Sequence, residues 1–395
     1  MDCASEATVI FRHLHLGAGP LGWIFAPRMN TISYQVLGVR TVFVTTSLSL
    51  LLLTLPIMVQ AQYTFTTNNG AVTILGLADT NAVVAVIPST TNGLPVMSIG
   101  SSAFRYSPNL ATVTIPSSIA SIGDYAFQGC TSLTNTMIPY SVTNLGNYVF
   151  DHCTSLTAVP VDPLNLFYSS LAGVLFNENQ TTLIQFPAGK TGNYMVPNSV
   201  TTIGIGAFNS CTKLTSISIP DSVTGIGTSA FLWCTSLTNV IVGNHVTIIG
   251  TDEFRFCTRL ANVTIGTNVI TIGSGAFYSC TSLTSILIPR SVTGIGPLAF
   301  QGCTNLTGVY CEGNTPGVGG AAFSGDNLVT VYYLPGTTGW GPMFGGRPTA
   351  LWKPQVQTTD AGFGVRTNQF RFNLTWASGM TVVVEATTNP PIWPC

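Results

Sequence analysis

From Ile99 onward the chain repeats itself every 23 residues, and a repeat of that length restricts the fold more than any other feature. Residues 203–225, IGIGAFNSCTKLTSISIPDSVTG, are followed directly by residues 226–248, IGTSAFLWCTSLTNVIVGNHVTI. Further copies start at Ile249, Ile272 and Ile295, earlier ones at Ile99, Ile122 and Leu145, and a degenerate one near Gly319. Phe104, Phe127, Phe150, Phe208, Phe231, Phe254, Phe277 and Phe300 share one phase. Cys130, Cys153, Cys211, Cys234, Cys257, Cys280 and Cys303 share another. A unit this short cannot close a core alone. Stacked on its neighbours, it buries its apolar positions against their counterparts, which is the physical basis of a solenoid.

Within one copy, Ala207, Cys211 and Leu214 have the i, i+4, i+7 spacing of a short helical or 3₁₀ piece. Leu214, Ile217 and Ile219 then follow an LxxIxI pattern whose closing alternation predicts a strand. A glycine follows the leading residue at Gly100, Gly123, Gly146, Gly204, Gly227, Gly250, Gly273 and Gly296. Positive φ or a close backbone approach would require it. Pro116, Pro139, Pro220 and Pro289 end their strands.

The phrase A-F-x-x-C-T-x-L-T-x-x-x-I-P-x-S-V-T-x-I-G resembles the BspA-like branch of leucine-rich repeats, over residues 83–335. The resemblance implies a β-rich, right-handed solenoid of 23-residue coils. A parallel sheet would form one face and short turns or 3₁₀ pieces the other. Known members are mostly secreted or surface proteins, many in bacteria, that bind other proteins or host matrix. Ser107 stands for Cys in the first copy, Thr136 for the inner Ile in the second, and Glu253 for Ala in a later one.

Outside the repeats, residues 42–61 form an uncharged apolar run after Arg40, ending in Val59-Gln60-Ala61. Residues 29–61 read as a signal peptide and residues 1–28 as a mis-assigned extension. An uncleaved anchor is the alternative, because the run is long enough to span a bilayer. Residues 62–98 are expected to cap the repeats of 99–335 with β-structure. About 35 extra residues enter between 161 and 196, with a hairpin pattern in GVLFNENQTTLIQF at 173–186. That insertion is either a protruding recognition element or a tolerated loop. Residues 336–360 are Gly- and Pro-rich and read as a linker. Residues 361–395 resemble the opening strands of a C-terminal β module of secreted Verrucomicrobia-like proteins, truncated at Cys395.

Only 7% of residues are charged and the net charge is −1, against roughly a quarter charged in ordinary domains. No basic surface exists for nucleic acid, so none is expected as a partner. After the apolar run the histidines are His152 and His245, neither within metal-ligand spacing of a suitable set, so no metal site is predicted. Asp151-His152-Cys153 fails as a dyad, since adjacent side chains cannot easily face each other and Cys153 belongs to the ladder. Asp252 and Glu253 are adjacent, with Glu253 expected at a coil corner, which argues against a polysaccharide-active enzyme. No nucleotide or cofactor motif is present, so no cofactor and no catalytic residues are assigned. Cysteines at one phase point the same way, which suits packed thiols better than disulfides. Cys311 takes an inward strand position and is expected to join them.

What remains is a surface. The outward positions of the strands are Thr112, Thr114, Asn135, Met137, Ser216, Ser218, Asn239, Ile241, Asn262, Thr264, Ser285, Leu287, Gly308, Tyr310, Thr330 and Tyr332. All but Gly308 are taken as candidate partner-binding residues. The row is uncharged and gains aromatics toward its end, chemistry suited to a glycan or a polar protein surface. The sequence therefore predicts an exported, non-enzymatic binding or adhesion module, secreted or on the cell surface. A structural spacer without a ligand is the alternative.

Overall fold

The computed structural model describes residues 63–352 and four later strands, Gln355–Gln357, Gly364–Arg366, Gln369–Thr375 and Thr381–Thr387. The readings of residues 1–61 fall outside the described residues. The four later strands form one antiparallel sheet. Its first member lies within the segment expected as linker.

The LxxIxI segments stack as a parallel sheet in register. Ser216, Ile217 and Ser218 pair with Asn239, Val240 and Ile241, which pair in turn with Asn262, Val263 and Thr264. The two-residue segments before each leading glycine form a second parallel column, as where Ile249 pairs with Ile272 and Ile272 with Ile295. The leading glycines answer a close approach. A Cβ at Gly146 or Gly227 would lie 2.4 Å from a backbone nitrogen of the preceding coil.

Between the columns the structure corrects the helical expectation, because no described residue is helical or 3₁₀. The A-F-x-x-C segments are consecutive turns instead. Ala103 N, Arg105 N and Ser107 N bond locally, to Gly100 O, Ser102 O and Phe104 O. The intervening Ser102 N, Phe104 N and Tyr106 N reach across to Asp124 O, Ala126 O and Gln128 O of the next coil. A helix would turn all of these donors along its own axis. Two left-handed residues per coil make the alternation, such as Ser102 and Tyr106, or Ser229 and Trp233. Each costs about 1 kcal/mol for a residue with a Cβ; the added inter-coil bonds offset it.

Inside, the phenylalanines form a stack. Ring centroids are 5.0 Å apart for Phe104 and Phe127, 4.8 Å for Phe208 and Phe231, and 5.3 Å for Phe300 and Phe323. Tyr63 closes one end edge-on at 6.4 Å, from the strand Tyr63–Asn68. Phe344 closes the other at 6.2 Å. Phe344 lies in what was expected to be linker. There Gly345 and Gly346, both at positive φ, join Met343–Phe344 to Arg347–Leu351, and the latter extends the sheet beside Thr330–Tyr333. Glycine richness here serves a tight hairpin.

The insertion is only partly a surface loop: its first residues lie on the surface, with Leu164 and Leu166 exposed, but its strands are built into the sheets. Val174–Asn177 pairs antiparallel with Thr182–Gln185, as the hairpin pattern predicts, and also with Tyr168–Leu171. Thr182–Gln185 then joins the second column through Thr202–Ile203. Val174 and Phe176 pack into the core of the later coils, whereas Leu175 packs into that of the earlier ones. One strand, by the alternation of its side chains, closes both cores.

Thr136, at the inner position, is 1% exposed and its hydroxyl has no partner among the described residues. The sheet is reduced here to isolated bridges at Asn135 and Ile138. Thr136→Val should stabilise the fold by about 1 kcal/mol by removing an unsatisfied hydroxyl at constant shape. Thermal unfolding checks this; an unchanged or lower midpoint would contradict it.

Candidate functional site

The strand alternation places most of the candidate residues on one face. Thr114, Asn135, Met137, Ile241, Asn262 and Thr264 are exposed, and Thr112, Ser216, Ser218, Asn239, Ser285, Leu287, Thr330 and Tyr332 are half-buried. Inward neighbours such as Val113, Ile217, Val240 and Val309 are buried. Some polar groups on the face are committed to each other, as where Asn239 Nδ2 donates to Ser216 Oγ at 3.3 Å.

Tyr310 departs from the expectation. It is 4% exposed, stacked on Tyr332 at 4.9 Å and covered by Trp352 at 5.1 Å. Its ring lies over Gly308, where any Cβ would come within 2.6 Å of it. Trp352 is outside the repeat phase, so the pattern that placed Tyr310 outward gave no warning of a lid. Tyr332 keeps partial access.

The face is not continuous. Its ladder runs through Gly192–Met195, Leu214–Ser218, Asn239–Ile241 and Asn262–Thr264, then resumes at Ser285–Ile288 without a strand pairing across the gap. A groove of about 460 Å³ opens there, lined by Asn239, Asn262, Thr264, Ser285 and Leu287 among others. Val263, half-buried where its counterparts are buried, also lines it. The break falls between the coils of Ala261 and Thr284. In other coils the threonine at that phase donates its hydroxyl to the preceding coil, as Thr238 does to Thr215 O at 2.9 Å and Thr307 to Thr284 O at 3.1 Å, whereas Thr284 makes no such bond to Ala261 O among the described residues.

Sequence reasoning missed one polar constellation. Ser210 Oγ lies 2.8 Å from His152 Nε2, and His152 Nδ1 lies 2.9 Å from Asp151 Oδ1. Gln128 Nε2 donates to Asp151 Oδ2 at 2.7 Å. Asp151 raises the His152 pKa through this contact, against the opposing effect of burial. The order is that of a Ser-His-Asp triad, but the surroundings are not those of a hydrolase. Ser210 is 3% exposed. The nearby N–H groups are spent, Ser210 N on Leu232 O, Cys211 N on Phe208 O and Thr212 N on Ser210 O. None of these backbone donors is free to receive an oxyanion. The chain of contacts clasps coils on either side of the insertion. Cys153 takes no part: its Sγ donates to Phe127 O at 3.1 Å inside the core.

Other ionisable groups are buried inside the coils. Ladder thiols donate to the phenylalanine carbonyl of the preceding coil, at 3.0 Å for Cys130 and Cys234 and 3.2 Å for Cys257. Burial pushes Cys130 and Cys311 up to about 12. Glu253 lies inside, not at a corner, with 0% exposure, and burial holds its carboxyl well above the usual range. Asp252, beside it in sequence, faces outward to Arg255 Nη1 at 3.1 Å. The two carboxylates therefore share no cleft. Among the described residues, no group of three His, Cys, Asp or Glu side chains could hold a metal ion.

A family profile agrees with this architecture. The profile of the BspA type leucine rich repeat region matches residues 87–194, 185–307 and 226–339, more than half of the chain. A leucine rich cell surface protein from Faecalibacterium prausnitzii is similar at 24% identity and a TM-score of 0.49, over 64% of this chain and 94% of that one. The pneumococcal vaccine antigen PcpA is similar at 21% identity and a TM-score of 0.47, over 68% of each chain. A leucine-rich repeat protein from Bacteroides ovatus is 28% identical, with a TM-score of 0.36, over 69% of this chain and 93% of that one. No curated protein matches. On its repeat, its coil geometry and the family profile, the chain belongs to the BspA-type leucine-rich repeat family.

Proposed function

We propose that the protein is an exported surface repeat module that binds a neutral extracellular partner, protein or glycan, through its sheet face. The observation that supports this most directly is the groove between Asn262–Thr264 and Ser285–Ile288. It gathers amides, hydroxyls and the aliphatic Leu287 in one concave, uncharged place, the mixture that recognition without charge requires. Family membership and the surface proteins among the similar structures support the location. An enzyme is disfavoured because the near-triad lacks a free backbone donor for an oxyanion and the adjacent carboxylates diverge. A spacer without a ligand is the rival reading.

The test is binding to a combined glycan and extracellular-protein array, with Asn262→Arg and Leu287→Arg beside the parent. Either substitution should weaken a saturable hit at least about tenfold, a change of about 1.4 kcal/mol, with the thermal midpoint unchanged. A blank array from folded protein would favour the spacer. Tyr332 is a secondary target, and Tyr310 is a poor one because Trp352 covers it.

A further inference from the structure

The second column is interrupted at the insertion. Ser121–Ile122 pairs with Asn144–Leu145, but Thr182–Gln185, which restarts the column, pairs with the inserted Val174–Asn177 instead. Tyr168 bridges part of the gap, its hydroxyl accepting from Leu145 N at 2.9 Å and lying 3.4 Å from Thr143 O, to which it donates. The rest stays open. One coil earlier, Tyr125 N and Phe127 N reach Asn147 O and Val149 O of the next coil. Tyr148 N and Phe150 N, at the corresponding positions, have no such bond among those of the described residues. A cavity of about 240 Å³ occupies the gap, lined among others by Asn147, Tyr148, Tyr168, Thr182, Gln185 and Ile205.

We propose that this cavity binds a single neutral pyranose residue. The proposal is independent of the sheet-face reading, since none of the face residues lines the cavity. No charged side chain lines it either, so an ionic ligand would be desolvated without a counter-charge. Tyr168 with Leu145, Ile184 and Ile205 provides apolar area for the C–H face of a sugar ring, and Tyr148, flanked by Tyr125 and Gly206, adds its edge. Asn147, Thr182, the Gln185 carbonyl oxygen and the two backbone donors provide groups for its hydroxyls. Gln185 Nε2 is already committed to Phe186 O and Ala207 O, which fixes the amide in place. Tyr148 is held too, stacked on Tyr125 at 5.3 Å and lying against Gly206, where a Cβ would come within 2.3 Å of its ring.

Size and shape select among neutral ligands. The cavity is smaller than the roughly 300–1,000 Å³ of sites for drug-sized molecules. An extended peptide would need a sheet edge to pair with, and Asn144–Leu145 offers only two residues. One ring fits those limits better than a chain does.

The test is saturation-transfer NMR of the protein with the methyl glycosides of glucose, galactose, mannose and N-acetylglucosamine, plus a blocked trialanine peptide. At least one glycoside should bind with a Kd of about 1 mM, as expected for a ligand of this size. Ile205, at the cavity and 46% exposed, is the site for a blocking variant. Ile205→Trp should weaken binding more than tenfold while leaving the thermal midpoint unchanged, and Asn147→Ala should weaken it severalfold. Asn262→Arg, in the sheet-face groove, should leave it unaltered. The proposal is overturned if no glycoside binds, if Ile205→Trp and Asn147→Ala both bind like the parent, or if only the peptide binds at this cavity.

Discussion

Replacing Glu253 by alanine is expected to stabilise the protein by about 2–4 kcal/mol at neutral pH, an uncommon direction for a core substitution. Glu253 is fully buried, and neither carboxyl oxygen has a hydrogen-bond partner at bonding geometry. The backbone N–H groups of Ala230 and Gly250 lean toward it and offset only part of the burial. The neighbouring coils show what the position accommodates, since Ala230 and Ala276 stand there fully buried. Alanine removes the unsatisfied group and restores the shape that stacks on both sides.

The same substitution should change the pH dependence. A carboxyl raised in the folded state binds its proton more tightly there than in the unfolded chain. Its stabilising contribution is present below the ordinary carboxylate value and is lost as pH rises through the folded one. Asp326, raised from 3.8 to about 7 by burial despite the nearby Arg347, acts in the same sense over that interval. His152, raised by Asp151, contributes below its ordinary 6.5 and loses its contribution as pH climbs through the elevated value. The parent protein should therefore be more stable near pH 5 than near pH 8. Urea unfolding at both pH values measures this, and the gain from Glu253→Ala should be larger at pH 8. Equal gains at the two pH values, or a loss at either, would show that the carboxyl is better accommodated than its geometry indicates.

The contrast between these groups and the repeats explains what could be read from the sequence. The 23-residue spacing predicts the coils because Phe, Cys, Leu and the strand residues each meet the same residue type above and below, and stacking rewards that regularity. The sheet alternation is legible for the same reason at Val240 and Ile217. The turn geometry is not legible, because Tyr106, Trp233 and Phe256 adopt positive φ without the glycine or asparagine that would advertise it. The i, i+4, i+7 apolar spacing there reflects which residues face inward, and two different backbones satisfy it. Glu253 is visible as a departure from the repeat, but whether it folds out or stays inside depends on its rotamer. The groove beside Ala261 and the lid Trp352 depend on pairings that fail or form locally, outside any periodic signal. His152 and Ser210 share a phase in their coils yet are 58 residues apart, so the insertion hides their contact from a reading by period.

The insertion itself offers the other large effect. A surface excursion would tolerate truncation of its apolar side chains, but this one should not. Phe176 is fully buried in the core of the later coils, and Phe176→Ala should cost about 3–5 kcal/mol through lost transfer energy and the cavity left behind. Leu175, one residue earlier and 1% exposed, faces the core of the earlier coils, and Leu175→Ala should cost about 2–5 kcal/mol. In a solenoid each coil depends mainly on its neighbours, so the two losses should fall on different parts of the chain. Hydrogen exchange separates them: Phe176→Ala should chiefly lower protection in strands after residue 182, and Leu175→Ala in strands before residue 146. A cost below about 1 kcal/mol for both, in the range of surface substitutions, would return the insertion to the status of a loop. Identical exchange patterns in the two variants would instead mean that the strand couples the cores into one cooperative unit.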